Sequence, residues 1–205
     1  MDASAPTVFI VDDDREVSSV LREVIESTGF STVLCPSAEC FLQACRSDAP
    51  GCLILDLELP GMSGLELQQS LVASPGCMPI IVLTAHSSVQ LAVQVMSSGA
   101  FSFLEKPVSP PNLIEVVRDA LELDVAKKRQ VAERQEAAQR VADLSDRERQ
   151  VMKLLVQATA PKSIAKQLGI SPKTVDFHRH NLLAKLKCDS VSELIRFSLH
   201  NELTQ

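Results

Sequence analysis

The sequence predicts an α/β doubly wound domain on a five-stranded parallel sheet, joined by a helical linker to an all-α domain. Three observations lead there. Short unbroken apolar runs (TVFIV at 7–11, STVL at 31–34, CLIL at 52–55, PIIVL at 79–83 and FSFL at 101–104) alternate with amphipathic stretches through residues 1–121. Strands read as continuous apolar runs when helices cover both faces of their sheet. From residue 122 onward the chain reads as helix-period segments with capping residues. The charge divides at the same place: residues 1–121 carry 5 Lys/Arg against 15 Asp/Glu, net −10, and residues 122–205 carry 15 against 11, net +4.

Composition narrows the class. At 205 residues and 45% hydrophobic content, with no Trp or Tyr, the chain has room for two small domains. Its six cysteines form no CxxC pair and lack interleaved histidines, which excludes a zinc site or a disulfide framework and predicts small buried thiols in a reducing compartment. The opening MDASAPT has no basic signal-peptide segment, and no apolar run approaches the roughly 20 residues of a membrane span. A cytoplasmic protein with no membrane partner is expected.

The elements follow in order. Val17, Val20, Leu21, Val24 and Ile25 mark the first helix, and Leu91 and Val95 a later one, with Gly29 and Gly99 as stops. Ligands of such sheets bind beyond the carboxyl ends of the strands. There the sequence places Asp12, Asp13 and Asp14 after the first strand, Asp56 after the third, Thr84 at the end of the fourth, and Lys106 with Pro107 after the fifth. Adjacent carboxylates repel unless a cation compensates them. An oxygen-only set suits Mg²⁺ shared with phosphate oxygens. Asp14 also reads as a plain helix N-cap.

Residues 122–144 (ELDVAKKRQVAERQEAAQRVADL) lack Gly and Pro and predict a helix continuing from the first domain, either a solvated linker or a dimer-forming one. In LSDRERQVMKLL at 144–155, Ser145 and Glu148 make a capping box. In SIAKQLGISPKTVDFHRHNLLAKL at 163–186, Gly169 ends one helix, Ser171 caps the next and Pro172 takes its first position, which is a helix-turn-helix unit. On its second helix Val175, Leu182 and Leu186 face inward, while Lys173, Asp176, Phe177 and His180 face outward to the major groove. Lys162, Lys166, Thr174, Arg179 and Lys185 are candidates for phosphate contacts. Asp176, the one acid among six basic residues at 162–187, either accepts from a cytosine amino group or pairs with Arg179 or His180. His178 and His180, two residues apart, do not share a face and are no metal pair. An amphipathic helix, SVSELIRFSLHNEL at 190–203, completes the chain's regular structure.

The motifs VDDD, LDLELPGMSG at 55–64, TAHSS at 84–88 and FLEKP at 103–107 together resemble the flavodoxin-like receiver domain of bacterial two-component response regulators. The string LSDRERQV…SIAKQLGISPKTVDFHRHNLLAKL resembles the LuxR-type DNA-binding domain, and the combination resembles the NarL/FixJ family of transcription regulators. The resemblance implies a receiver at 1–121, a linker at 122–143 and a DNA-binding domain at 144–205. It implies Asp56 as acceptor of a phosphoryl group from a sensor histidine kinase. Mg²⁺ would be held by Asp12, Asp13, Asp56 and the Glu58 backbone carbonyl; Thr84 and Lys106 would meet the phosphoryl group, and Thr84 and Phe103 would form the switch. Implied partners are promoter DNA, RNA polymerase and a second copy when phosphorylated, with the last helix pairing with its twin on DNA. Turnover chemistry is not expected, since Glu58 stands where aspartyl-phosphate hydrolases carry their second Asp. The other reading is a phosphorylation-independent DNA-binding regulator whose receiver serves as an adaptor. Glu58, His86, Val108, Ala158 and Pro161 depart from the usual family pattern.

Overall fold

The computed structural model describes residues 6–45, 50–74, 76–86 and 88–200. Residue 87 of the TAHSS run and residues 201–203 of the last expected helix lie outside them. The chain divides into two compact units, 1–129 and 130–205.

In the first unit β1 (Thr7–Val11), β2 (Ser31–Cys35), β3 (Gly51–Leu55), β4 (Ile80–Thr84) and β5 (Ser102–Glu105) form one parallel sheet in the order β2-β1-β3-β4-β5. Each expected strand is present, with ends shifted by at most one residue. Residues alternate between the sheet's faces. Val8, Ile10, Ile54, Ile81 and Leu83 pack with Leu21 and Ile25 of α1 (Arg15–Glu26) and with Leu113 and Val117 of α5 (Pro110–Ala142). Phe9, Val11, Leu53, Leu55 and Val82 pack with Phe41 of α2 (Ala38–Ala44), Leu67 of α3 (Gly64–Val72) and Val95 of α4 (Val89–Ser97). Phe9 and Phe41 meet edge to face at 5.4 Å, a geometry that aligns ring edge with ring face. Parallel pairing through right-handed crossovers puts every strand's carboxyl end on one rim, and that rim carries the site.

At the opposite end Asp124 of α5 is buried, accepting the Gly51 backbone N–H at 2.8 Å and pairing with Lys128 at 2.8 Å. The cysteines divide. Cys35, Cys52 and Cys188 are buried as expected, whereas Cys40, Cys45 and Cys77 are half-buried because they lie at the margins of α2 and in the loop before β4. Burial pushes the Cys52 thiol up to about 12, so it is inert.

α5 runs unbroken from the first unit into the second, as expected of a stretch without Gly or Pro. The second unit packs α6 (Asp146–Val156), α7 (Pro161–Leu168), α8 (Pro172–Leu186) and α9 (Val191–His200) around Val151, Leu155, Ile164, Val175, Leu182, Leu186 and Leu194. Ser145 and Glu148 form the expected capping box, and buried Glu148 also pairs with Lys185 of α8 at 2.7 Å. Burial raises the Glu148 carboxyl, but its bonds to Lys185 and Ser145 outweigh this and hold it below the usual range. Gly169 closes α7 at φ +64°, Ser171 caps α8 and Pro172 opens it.

Ala158 links α6 to α7 at φ +56°. A side chain in the left-handed region crowds the following carbonyl, at about 1–2 kcal/mol. Ala160 at the N-cap of α7 supplies no side-chain bond to the exposed N–H groups, so this turn is under-stabilised twice. Ala158 is exposed, so Ala158→Gly is expected to raise the stability of the second unit by about 1 kcal/mol in chemical denaturation.

Candidate functional site

β1 and β3 are neighbours with Val11 level with Leu55, so the residues that follow them, Asp12 and Asp56, stand side by side. Their backbones are fixed by ladder bonds: the Asp56 N–H donates to Val11 at 2.9 Å and the Asp12 N–H to Cys35 at 3.2 Å. Both side chains are buried, 5% and 7% exposed. Lys106 follows β5, two strand spacings from β3, about 10 Å. Its N–H donates to Thr84 at 2.9 Å, and its stem carries Nζ across the rim to Asp12 Oδ2 at 2.7 Å and Asp56 Oδ2 at 2.5 Å. The other Asp56 oxygen accepts the Glu58 N–H at 3.2 Å. Thr84 is buried at the end of β4, and its hydroxyl oxygen accepts the His86 N–H at 3.3 Å.

Burial raises the Asp12 carboxyl, and the bonds from Lys106 and from the Asp14 N–H only partly offset it. For Lys106, burial lowers the ammonium, but hydrogen bonds to Asp12 and Asp56 prevail and hold it above its usual value. The rim is thus an ion triad of two carboxylates sharing one ammonium.

The acidic run does not act as a block. Asp12 turns inward, Asp13 is exposed, and Asp14 is the N-cap of α1, accepting from Glu16 at 2.8 Å and Val17 at 3.2 Å. The capping interpretation therefore holds for Asp14 alone. Glu58 and His86 are both exposed and meet at 2.6 Å. Phe103 is half-buried against the core cluster on the α4 side of the sheet.

In the second unit Val175, Leu182 and Leu186 are fully buried. Lys173, Asp176, Phe177 and His180 are exposed on the other face of α8, and Lys162 and Lys166 are exposed on α7. Asp176 pairs with Arg179 one turn on at 2.9 Å, which is one of the two arrangements open to it from the sequence. Thr174 bonds the Ser171 hydroxyl at 2.8 Å. The Lys185 ammonium is held by Glu148 and by the Asp143 carbonyl at 3.3 Å.

Two family models match: the response regulator receiver domain over residues 8–118 and the bacterial regulatory proteins of the luxR family over residues 142–198. The chain belongs to the NarL/FixJ family of response regulators. It is 43% identical to the transcriptional regulatory protein FixJ of Azorhizobium caulinodans, over 94% of this chain and 91% of the relative. It is 40% identical to FixJ of Rhizobium meliloti, over 94% and 95%. Its structure resembles that of the response regulator StyR, with TM-score 0.89 and 37% identity over 96% of this chain and 99% of that one. It resembles full-length FixJ from B. japonicum, with TM-score 0.58 and 34% identity over 99% and 100%. This response regulator therefore pairs a receiver with a LuxR-type DNA-binding domain in one transcriptional regulator, and its family consists of regulators rather than enzymes. Among the described residues no helix is long and apolar enough to cross a membrane.

Receiver domains generally bind Mg²⁺ at the phosphorylation site. The donor chemistry here suits it: Asp12 and Asp56 offer adjacent carboxylate oxygens, and Asp13 stands at the rim. Among the described residues no three acidic, His or Cys side chains are already gathered around one point, and Lys106 pairs with both Asp12 and Asp56.

Sequence reasoning missed Gly64, the last residue of LDLELPGMSG. A Cβ there would lie 2.1 Å from the Asp56 carbonyl oxygen and 2.7 Å from Leu57 Cα, so only glycine lets α3 start against the backbone of the rim. The signal was present as a glycine at the first position of a helix, where Ser63 and Glu66 already supply a capping box. Gly64→Ala is expected to push the Asp56 backbone aside and destabilise the first unit by about 1–3 kcal/mol in chemical denaturation.

Proposed function

We propose that this response regulator is switched by phosphorylation of Asp56 by a sensor histidine kinase, then dimerises and binds promoter DNA in the cytoplasm to act on RNA polymerase. One observation carries the reading: Asp56 is the buried carboxylate whose oxygen meets Lys106 Nζ at 2.5 Å, beside the strand that ends in Thr84. An Asp56 oxygen attacks the phosphorus of a phosphohistidine, the P–N bond breaks, and the released imidazole takes up a proton. The phosphoryl group adds nearly two negative charges. Lys106 pairs with them, and the Thr84 hydroxyl, whose proton is free to rotate, donates to a phosphoryl oxygen. Asp12, Asp13, Asp56 and the Glu58 carbonyl would hold Mg²⁺, which when bound would supply positive charge to offset that of the phosphoryl group.

Thr84 ends β4 five residues before Val89 opens α4, so a pull on Thr84 acts close to the start of α4. Phe103 responds from the neighbouring strand β5. Val89, Val93 and Met96, at i, i+4 and i+7, form a stripe on α4 that is 79%, 60% and 45% exposed. This apolar stripe supports dimerisation through α4. The basic residues Lys162, Lys166, Lys173 and Arg179 support phosphate contact, with Asp176, Phe177 and His180 toward the bases. Lys185 and Thr174 add to that surface from positions that also brace α8.

Incubation of the full chain with acetyl phosphate and Mg²⁺ tests the acceptor. Wild type is expected to take up one phosphoryl group by intact mass and Asp56→Asn none; equal labelling of the two sinks the assignment and leaves the phosphorylation-independent reading. A separate measurement addresses α4: in sedimentation, phosphorylated Val93→Asp is expected to stay monomeric where phosphorylated wild type dimerises.

A further inference from the structure

Phe177 stands at the centre of the outward face of α8. At 100° per residue it lies about 160° around the helix from Val175, about 140° from Leu182 and about 180° from Leu186, and those three are fully buried in the core of the second unit. A phenyl ring, 62% exposed, therefore points away from the core of the unit. Among the described residues its ring contact is with neighbouring His178, edge to face at 5.6 Å. An apolar group is out of place there if the helix meets only phosphates, and Lys173 and His180, which share that face, would serve the purpose without it.

We infer that Phe177 reads the 5-methyl group of a thymine in the major groove, and is a specificity-determining residue of the DNA interface. This rests on the reading of α8 as the groove-facing helix. A phenyl ring neither donates nor accepts conventional hydrogen bonds, so it cannot distinguish the donor and acceptor patterns of the base edges. The one apolar group that natural bases display in the major groove is the thymine methyl. The neighbours leave this contact dominant. Asp176 is paired with Arg179 at 2.9 Å, and at 100° per residue that pair lies about 100–160° round the helix from Phe177, which leaves the ring as the apolar projection of its own face. Burial of one methyl is worth about 0.8 kcal/mol, a factor of about four in affinity.

The test uses the full-length chain with acetyl phosphate and Mg²⁺, and duplexes selected from a random-sequence pool. Each thymine of a selected duplex is replaced in turn by deoxyuridine, which removes only the methyl. Wild type is expected to bind about fourfold more weakly when one particular thymine is replaced, and at that position to prefer 5-methylcytosine over cytosine by a similar factor. Phe177→Ala is expected to retain both duplexes at low salt and to bind the thymine and deoxyuridine forms equally. The inference is overturned if wild type is indifferent to deoxyuridine at every thymine, or if Phe177→Ala keeps the thymine preference. Failure of wild type to retain any duplex at low salt has a different meaning: it removes α8 as a DNA-facing helix, and the methyl contact with it.

Discussion

The receiver depends on how one lysine stabilises two buried acids. Asp12 and Asp56 emerge from adjacent strands, and parallel register makes their proximity unavoidable. Two carboxylates so placed repel strongly where water is scarce. Lys106 answers both, and its bonds lift its own basicity while burial still raises Asp12. Removing either partner from such a set leaves an uncompensated buried charge. The rim is therefore intolerant of losing the cation.

That triad makes demands on the rest of the domain. Lys106 reaches it only because β5 is fixed to β4 through Thr84, and Asp56 holds its place only because α3 begins on a glycine. At the far end of the sheet, Asp124 ties α5 to the first residue of β3. The strand that delivers Asp56 is thus held at both ends, by charge at one and by a buried backbone-to-carboxylate bond at the other. Asp124 lies in a stretch whose composition reads as solvated linker, yet α5 remains part of the receiver's packing through that residue.

The second unit is governed by different forces. Its core is aliphatic, and its polar fixtures are local: the Ser145–Glu148 capping box, the Ser171 cap and the left-handed turn at Gly169. Glu148 extends from its cap to Lys185, so a residue that starts α6 also braces α8. This gives Lys185 a structural partner that periodicity on α8 alone does not reveal. The Asp176–Arg179 pair similarly shows how an acid is accommodated on a basic surface.

The sequence by itself determined the five strands, the rim that gathers Asp12, Asp56, Thr84 and Lys106, the capping box and the helix-turn-helix. It did so because these depend on short-range signals: apolar period, cap chemistry, and the rule that parallel strands present their carboxyl ends together. It did not determine which acids of DDD turn inward, that Glu58 and His86 meet, that Gly64 lies against Asp56, or that Asp124 is buried. Those were decided by tertiary structure, since each depends on the distance between residues that no local propensity relates, or on which of two rotations a side chain takes once its neighbours are packed.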